Sequence, residues 1–235
     1  MREFKLVLVV LFAIAAVSCS KDQEIKVYSV SYSFKDSLSG WTADFADYPV
    51  DPVDSIGYYL HAKLDTLPGD TTKKAFLISG INEDKDLFMF IKRKFTGLRR
   101  NTSYKLLFNI RFASNARTGS TTADGAPGDS VYVKVGASAE EPLPVVVGDY
   151  YRLNIDKGNQ ELGGESMIVL GHIGVAATTT KFTVINRFNT AARSNLVVTT
   201  NDEGELWLIV GTDSGHKGRT TLYYTQVDVL FNEVD

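Results

Sequence analysis

One short loop brings together residue types that carry out nucleophilic catalysis. Residues 211–219, GTDSGHKGR, hold Asp213, Ser214 and His216 close to one another in the chain. A catalytic triad needs a base about 3 Å from its nucleophile and a third group that orients the base. Neighbours on one flexible hairpin rarely supply that geometry, and the sequence has no G-x-S-x-G nucleophile elbow. We therefore expect no catalysis here, and we assign Asp213 and His216 to a polar loop that contacts a ligand.

A second stretch, predicted to be the first long loop between strands, combines aromatic rings with carboxylates. Residues 37–55, SLSGWTADFADYPVDPVDS, include Trp41 and Tyr48 together with Asp44 and Asp47. A sugar has apolar C–H faces and hydroxyl edges, so a flat ring beside a carboxylate satisfies both halves of such a ligand. This pattern predicts that one of the two rings stacks on a sugar. The alternative is that Trp41 plugs the end of the fold while the carboxylates face water.

Metal chemistry receives little support from residue spacing. His61 and His172 are far apart in the chain and have no histidine or cysteine nearby, so a zinc site lacks its usual ligands. Oxygen ligands for calcium are present in or near the loops, at Asp36, Asp124, Asp129, Asp156 and Glu165. No group of them has EF-hand spacing, so a structural calcium stays an open alternative with unknown ligands. Paired carboxylates for glycoside hydrolysis would meet only on folding, and sequence spacing does not test them.

The N-terminus has the pattern of an export signal. Arg2 and Lys5 precede an uncharged apolar run over residues 6–17, which is too short to span a bilayer. Cys19, the only cysteine of the chain, follows directly after this run and Ser18. A cysteine at that place resembles the signal of bacterial lipoproteins, in which the thiol is linked to diacylglycerol and the cysteine becomes the mature N-terminus.

The resemblance implies a signal peptide over residues 1–18 and a lipidated Cys19 that begins a polar tether over residues 19–24. Acyl chains contribute about 0.8 kcal/mol for each buried CH₂, so two or three of them would anchor the protein to the membrane effectively permanently. The predicted location is the Gram-negative outer membrane. The acidic, polar tether resembles those of lipoproteins that are sent to the outer surface, and the face of the membrane stays open. The alternative is plain secretion, with a free thiol that has no evident use.

The rest of the chain, residues 25–235, is predicted to form one domain. A chain of this length buries about 70% of the surface that it would expose when unfolded, and nothing in it requires a second domain. The formal net charge of −3 and the pI near 5.7 are untypical of nucleic-acid binders, which are usually basic. Because Cys19 is the only cysteine, no internal disulfide can stabilise this domain. Protein partners cannot be named from the sequence.

Alternating patterns predict strands along the whole domain. In residues 104–112, YKLLFNIRF, every second side chain is apolar and the others are mainly polar, which is typical of a strand with one buried face. Similar runs lie at residues 25–34, 56–64, 75–79, 87–95, 131–135, 150–155, 167–170, 181–188, 196–200, 205–210 and 221–231. We predict an all-β fold of two packed antiparallel sheets, with Trp207 in the core.

Three segments resemble the galactose-binding-like jelly roll of carbohydrate-binding modules. They are FTGLRRNTSYKLLFNIRFAS at residues 95–114, an opening element SLSGWTADF, and a closing element GELWLIVGTDSGHKGRTTLYYTQVDVLF. The resemblance implies a jelly-roll β-sandwich with a carbohydrate ligand. Many such modules hold a structural calcium through an aspartate of the closing strand, but Thr225 stands at that place and Asp228 follows three residues later. The chain also resembles uncharacterised Gram-negative lipoproteins.

These features favour a cell-envelope lipoprotein with a non-catalytic domain that recognises a carbohydrate. The predicted ligand contacts are Trp41, Asp44, Asp47, Tyr48, Asp213 and His216. The alternative from another class is a structural or partner-binding envelope subunit without a small ligand. A hydrolase is the third alternative.

Overall fold

Antiparallel β-sheets are the main regular structure of the chain, which a computed structural model describes for residues 25–234. The strands are β1 (Val27–Ser33), β2 (Thr42–Ala46), β3 (Tyr48–Pro49), β4 (His61–Leu67), β5 (Asp70–Asn82), β6 (Phe88–Phe95), β7 (Ser103–Ser114), β8 (Val131–Ser138), β9 (Pro144–Val147), β10 (Tyr150–Leu153), β11 (Met167–His172), β12 (Thr183–Phe188), β13 (Val197–Thr199), β14 (Leu206–Ser214) and β15 (Gly218–Glu233). A single-turn helix, α1 (Pro52–Ser55), and a 3-10 turn (Ile56–Tyr58) follow β3. The predicted signal peptide, Cys19 and tether lie outside the described residues.

Two large sheets form the body of the fold. Sheet A has the strand order β12-β7-β15-β5-β4, with β1 paired to the second half of β15 and β13 paired to the start of β7. Sheet B has the order β11-β8-β14-β6-β2. Their inner faces enclose one large apolar core. The predicted two-sheet antiparallel β-sandwich of jelly-roll type is confirmed.

The alternation within β7 explains how the core is built. Its inward side chains are at most 1% exposed, and they are Tyr104, Leu106, Phe108, Ile110 and Phe112. Across the sandwich they share the core with apolar side chains of sheet B, which include Met89, Ile91, Val133, Val135, Leu208 and Val210. The intervening side chains of β7 point away from the core, so the predicted two-faced strand is confirmed.

A small third sheet lies over the outer face of sheet B. Sheet C has the order β3-β10-β9. Residues 150–162, here called the cover segment, comprise β10 and the loop that follows it. The cover segment packs Leu153 and Ile155 against a second apolar cluster that contains Phe88, Phe90 and Ile209. Sheet B is therefore apolar on both faces over part of its area.

The prediction that Trp207 lies in the core is wrong. Its side chain points to the outer face of sheet B and is only half-buried. It lies two positions from the covered Ile209 along β14, and its ring is flanked by the ammonium groups of Lys92 at 5.8 Å and Lys94 at 5.5 Å. An apolar run on both faces of a strand therefore does not require cover along the strand's whole length.

Two predicted segments have a different structure. The predicted loop over residues 37–55 contains β2, which adds to sheet B along β6. The predicted strand over residues 56–64 begins instead with the 3-10 turn and becomes a strand at His61. The carboxylate of Asp51 caps α1 by accepting from the Val53 N–H at 2.7 Å, and a proline in the first helical turn suits that start.

Within residues 25–234, no helix has the length and apolar character needed to cross a membrane.

Candidate functional site

The outer face of sheet A carries an ordered row of side chains across four strands. Phe188 of β12 lies opposite Asn109 of β7, Asn109 lies opposite Asp228 of β15, and Asp228 lies opposite Ser31 of β1. Directly opposed residues of antiparallel strands point to the same face of a sheet, and Asn109 points outward because its neighbours in β7 point inward. Strand pairing thus brings together side chains that are distant in the sequence.

Hydrogen bonds hold the carboxylate of Asp228 at the centre of this row. Its Oδ1 accepts from the hydroxyl of Ser31 at 2.6 Å and from Nε2 of Gln226 at 2.6 Å. Its Oδ2 accepts from Nδ2 of Asn109 at 3.0 Å. Arg111 donates in turn to Oε1 of Gln226 at 3.2 Å. The polar side chains of the face are therefore fixed in place before any ligand binds.

One acceptor of this network has no partner. Oδ1 of Asn109 is buried and accepts no hydrogen bond from any group among residues 25–234. A buried carbonyl oxygen without a donor costs about 1–3 kcal/mol relative to a satisfied one.

The row borders a cavity of about 380 Å³, here called the Asp228 cleft. Its lining residues are Ser29, Leu107, Phe108, Asn109, Asn186, Phe188, Asn189, Asp228, Val229 and Leu230. Leu107 and Leu230 supply apolar wall, while the ring of Phe188 is 57% exposed. This volume lies within the range of small-ligand sites, and the mixture of ring, apolar wall and fixed polar groups suits an amphipathic ligand.

Asn189 anchors the backbone next to Phe188 beside the cleft. Its Oδ1 accepts from the Phe108 N–H at 2.6 Å, and its Nδ2 donates to the Leu106 carbonyl at 2.9 Å and to the Ser194 hydroxyl at 2.7 Å. These bonds join the end of β12 to β7. The exposed ring therefore stands on a well-anchored stretch of backbone.

The structure brings two of the sequence-predicted residues, Asp47 and Asp213, to one place, but within a buried ion network. Oδ2 of Asp213 lies 2.9 Å from Nζ of Lys134 and 2.8 Å from Nζ of Lys157. Lys157 also lies 3.0 Å from Oδ2 of Asp47, and Arg152 bridges Asp47 at 2.7 Å to Asp86 at 2.5 Å. Both predicted carboxylates are at most 3% exposed.

Burial and partners oppose each other in this network. Burial lowers the pKa of Lys134, and the nearby Asp213 only partly offsets that effect. Burial also acts to lower the pKa of Lys157, but the carboxylates of Asp213 and Asp47 outweigh it, and the pKa is raised. Burial raises the pKa of Asp86 although Arg152 opposes it. Each of these charges has an opposite partner, so the network can fasten the cover segment to sheet B without a ligand.

A cavity of about 350 Å³ lies beside this network. It is bordered by the charged side chains of Asp47, Asp86, Arg152 and Lys157 and by the apolar side chains of Leu153 and Ile155. The charged groups there already face one another. The Asp228 cleft, in contrast, has an exposed aromatic ring beside its hydrogen-bonded polar groups.

The other predicted contacts lie apart from one another. Trp41 is 1% exposed, with Tyr32 and Phe34 against its ring at 5.6 and 6.2 Å. Asp44 is partly exposed, 3.9 Å from Nζ of Lys92. Trp41 therefore occupies the position that the plug alternative describes, and no face of its ring is open to a ligand.

Tyr48 and His216 also have protein neighbours. The ring of Tyr48 is half-buried between Tyr151 and Tyr58, with centroids at 5.0 and 6.0 Å. His216 is 7% exposed, and its Nδ1 lies 3.2 Å from the backbone carbonyl of Asp124. The predicted set therefore does not form one surface.

Two of the suggested calcium ligands serve their own loops. Asp156 accepts from the Gly158 N–H and the Glu165 N–H at 2.8 Å each, and these bonds lower its pKa. Asp129 accepts from the Gly119 N–H at 2.7 Å. Within the described range 25–234, histidine, cysteine and acidic residues form no group of three or more that could hold a metal ion.

Sequence reasoning did not single out the residues of the Asp228 cleft as a site. The outward face of β7 is visible in the sequence as the polar half of YKLLFNIRF, which includes Asn109 and Arg111. The sequence relates Asp228 only to a calcium position of similar modules, and Phe188 resembles any apolar residue at the end of a strand. Their meeting depends on strand pairing across more than a hundred positions, since Asn109 and Asp228 are 119 residues apart.

Comparison with known proteins shows only distant structural likeness. No family model matches the sequence, and no curated protein matches it. A carbohydrate-binding module from the β-sandwich superfamily is 9% identical with a TM-score of 0.41, over 86% of this chain and 72% of the module. The K1 cleaved adhesin domain of Lys-gingipain from Porphyromonas gingivalis is 8% identical with a TM-score of 0.40, over 86% and 97%. The family 11 module of a Clostridium thermocellum cellulase is 10% identical with a TM-score of 0.39, over 87% and 95%. Likeness at this level does not identify a function, so function must be argued from the side chains.

Proposed function

We propose that the protein recognises a carbohydrate in the Asp228 cleft without catalysing a reaction on it. The observation that carries this proposal is the row of Phe188, Asn109 and Asp228, which places an exposed ring next to polar groups that are fixed in advance. A sugar presents an apolar face to the ring and hydroxyl edges to the polar groups. The site is thereby matched to both parts of one ligand.

Each part of the cleft has a distinct role in this proposal. The ring of Phe188 stacks on the C–H face of a sugar, and Oδ2 of Asp228, which accepts one hydrogen bond within the chain, accepts a second from a sugar hydroxyl. Asp228 positions Asn109 and Gln226 through the hydrogen bonds that it accepts. Because those groups are already ordered, little conformational entropy is lost on binding.

The arrangement of carboxylates favours binding over hydrolysis. Glycosidases that use two carboxylates place them about 5–9.5 Å apart across the scissile bond. Among the described residues that line the cleft, Asp228 is the only acidic one, and both of its oxygens accept hydrogen bonds. A second carboxylate for an acid–base pair is missing from this lining.

Replacing Phe188 with alanine tests the proposed function. We expect the affinity of the full-length protein, purified in mild detergent, to fall about tenfold or more for a glycan found by array screening, equivalent to ~1.4 kcal/mol. Because Phe188 is 57% exposed, its truncation should change the unfolding free energy by no more than about 0.5 kcal/mol. Isothermal titration calorimetry and urea unfolding measure the two effects separately.

Val184→Ala is the matched control. Val184 lies on the same strand and the same face, is 49% exposed and does not line the cleft. We expect its affinity to equal that of the wild type. If no glycan on a broad array binds the folded protein, or if Phe188→Ala binds as tightly as the wild type, the proposal is wrong. A partner-binding envelope subunit would then be the better interpretation.

We also propose that the protein is anchored to the outer membrane through a lipid on Cys19. The described chain enters the sandwich at the end where the Lys26 N–H donates to Oε2 of Glu233 at 3.0 Å. Residues 115–130 lie near the other end of β15, where Lys217 donates its N–H to the Asp124 carbonyl at 3.0 Å. β15 has 16 residues, so the two ends are separated by roughly 50 Å at about 3.3 Å per residue. A short tether would hold the first end near the membrane and leave the sheet faces accessible from the side.

Replacing Cys19 with serine tests the anchor. In a Gram-negative host, the wild-type protein should partition with the membrane fraction, and its mature N-terminus should carry the mass of acyl chains. Cys19→Ser should lose both properties because serine has no thiol for a thioether bond. Membrane partitioning of Cys19→Ser equal to that of the wild type would contradict lipidation at this residue. This experiment is independent of glycan binding.

A further inference from the structure

A second cavity adjoins the Asp228 cleft at the ring of Phe188. It has a volume of about 310 Å³ and is lined by Ile168, Val169, Leu170, Phe188, Asn189, Thr190 and Arg193. Phe188 and Asn189 also line the Asp228 cleft. The two cavities therefore form neighbouring parts of one groove, with the exposed ring of Phe188 between them.

The second cavity contains a positive charge without a carboxylate partner. Arg193 is exposed, and no aspartate or glutamate among residues 25–234 lies within ion-pair distance of its guanidinium. The loop that carries it is ordered locally, since the Arg193 N–H donates to the Thr190 carbonyl at 3.0 Å. The guanidinium is thus available to a ligand at the far side of Phe188.

Other cations near this groove also lack carboxylate partners in the described part of the chain. Lys105 donates to the Ala191 carbonyl at 2.6 Å, and Arg111 donates to the Gln226 side chain. Arg187 donates to the His172 and Gly174 carbonyls at 2.8 and 3.1 Å, and burial lowers its pKa. The protein carries a formal net charge of −3, so this excess of positive charge is local to the β7 and β12 region.

We propose that the groove binds an oligosaccharide that carries an anionic sugar, with the anionic group at Arg193. The proposal rests on the proposed function, because it extends the same glycan from the Asp228 cleft across Phe188. A guanidinium forms charge-assisted, often bidentate hydrogen bonds with a planar carboxylate or with sulfate oxygens. The apolar side chains of Ile168 and Leu170 offer contact to the C–H face of the same sugar.

The charge of Asp228 does not oppose this ligand at the second cavity. Asp228 accepts hydrogen bonds at both oxygens and lies opposite Ser31 and Asn109, on the other side of the ring of Phe188. A neutral sugar in the Asp228 cleft and an anionic sugar at Arg193 are therefore compatible. The groove is predicted to require at least a disaccharide, because it has one compartment for each sugar.

Three tetrasaccharides of equal length test the ligand class on the full-length protein: a neutral one, one containing hexuronic acid, and one bearing sulfate esters. We expect at least one acidic tetrasaccharide to bind more tightly than the neutral one. Arg193→Gln should weaken the binding of that acidic tetrasaccharide about tenfold, as is typical when a charge-assisted hydrogen bond is lost. It should change the affinity for the neutral tetrasaccharide less than twofold. Raising the salt concentration should weaken acidic binding more than neutral binding. Comparing the two acidic ligands distinguishes carboxylate from sulfate.

Arg100→Gln is the matched control, because Arg100 is also exposed but lines neither cavity of the groove. The affinity of the Arg100→Gln variant for the acidic tetrasaccharides should stay within about twofold of the wild-type value, a change below ~0.5 kcal/mol. If Arg193→Gln leaves acidic binding unchanged, or weakens neutral and acidic binding equally, the inference about the anionic sugar is wrong. The proposed function would still stand if Phe188→Ala abolished neutral binding. If none of the glycans binds, both proposals fail.

Discussion

Asp213→Ala is expected to lower the free energy of unfolding by about 3–5 kcal/mol, the usual cost of breaking a buried ion pair by removing one partner. The Asp213 side chain is 0% exposed and contacts the ammonium groups of Lys134 and Lys157 as well as the Gln160 N–H at 2.9 Å. Its removal leaves Lys134, which is also 0% exposed, with only carbonyl acceptors. Urea unfolding of the full-length protein measures the change.

Two comparison variants show how much of this cost comes from burying an unpaired charge. One replaces both partners of the buried pair, and the other breaks a more exposed pair. Asp213→Leu combined with Lys134→Met replaces the buried pair with apolar side chains, and Lys157 keeps its contact with Asp47. Such replacements are often neutral, but this one leaves the Gln160 N–H and the Lys157 and Leu162 carbonyls without these side-chain partners. We therefore expect the double variant to recover only part of the stability that Asp213→Ala loses. Glu205→Ala removes the partially exposed pair with Lys94 and should cost no more than about 1 kcal/mol.

The contrary result would change the interpretation of the network. A cost below about 1 kcal/mol for Asp213→Ala, with an unchanged denaturant slope, would mean that water reaches Lys134 and solvates it. The ion network would then not be what holds the cover segment to sheet B. The apolar contacts of Leu153 and Ile155 with Phe88 and Phe90 would have to carry that role.

The fold was predictable because its main determinant is local. The alternation of apolar and polar residues along β7 predicts which side chains are buried. A shift of one residue in the strand register would expose all of these side chains. β2 was missed because its sequence, TADFA, mixes polar and acidic residues with one aromatic ring. Among residues 25–234, β2 is an edge strand that pairs only with β6, so its sequence does not need a continuous apolar face.

The site was less predictable because sequence composition does not reveal a side chain's partners. Asp47 and Asp213 occur in polar stretches that suggest exposed loops, yet both are buried against lysines. Lys134 stands in the apolar run VYVKV, where a lysine that interrupts a strand is the available signal of a buried charge. Its partner could not be named from the sequence, because Lys134 and Asp213 are 79 residues apart.

Trp41→Ala is expected to destabilise the protein by about 3–5 kcal/mol and to leave glycan affinity unchanged. Trp41 is 1% exposed and packs edge-on against Tyr32 and Phe34, so truncation creates a large cavity at this end of the sandwich. The indole Nε1 has no hydrogen-bond partner in the part of the chain that the structure describes. Trp41→Phe should therefore cost less than Trp41→Ala, because it keeps a ring and removes an unsatisfied donor.

Trp207→Ala is the comparison that isolates burial. The Trp207 side chain is half-buried on the outer face of sheet B, so its truncation should cost clearly less than that of Trp41, by an amount that urea unfolding measures. Glycan binding should persist in both variants, since neither tryptophan lines the groove. A Trp41→Ala protein with wild-type stability and no glycan affinity would reverse this interpretation. The stacking ring would then be Trp41, and the first long loop would be the recognition site instead of the outer face of sheet A.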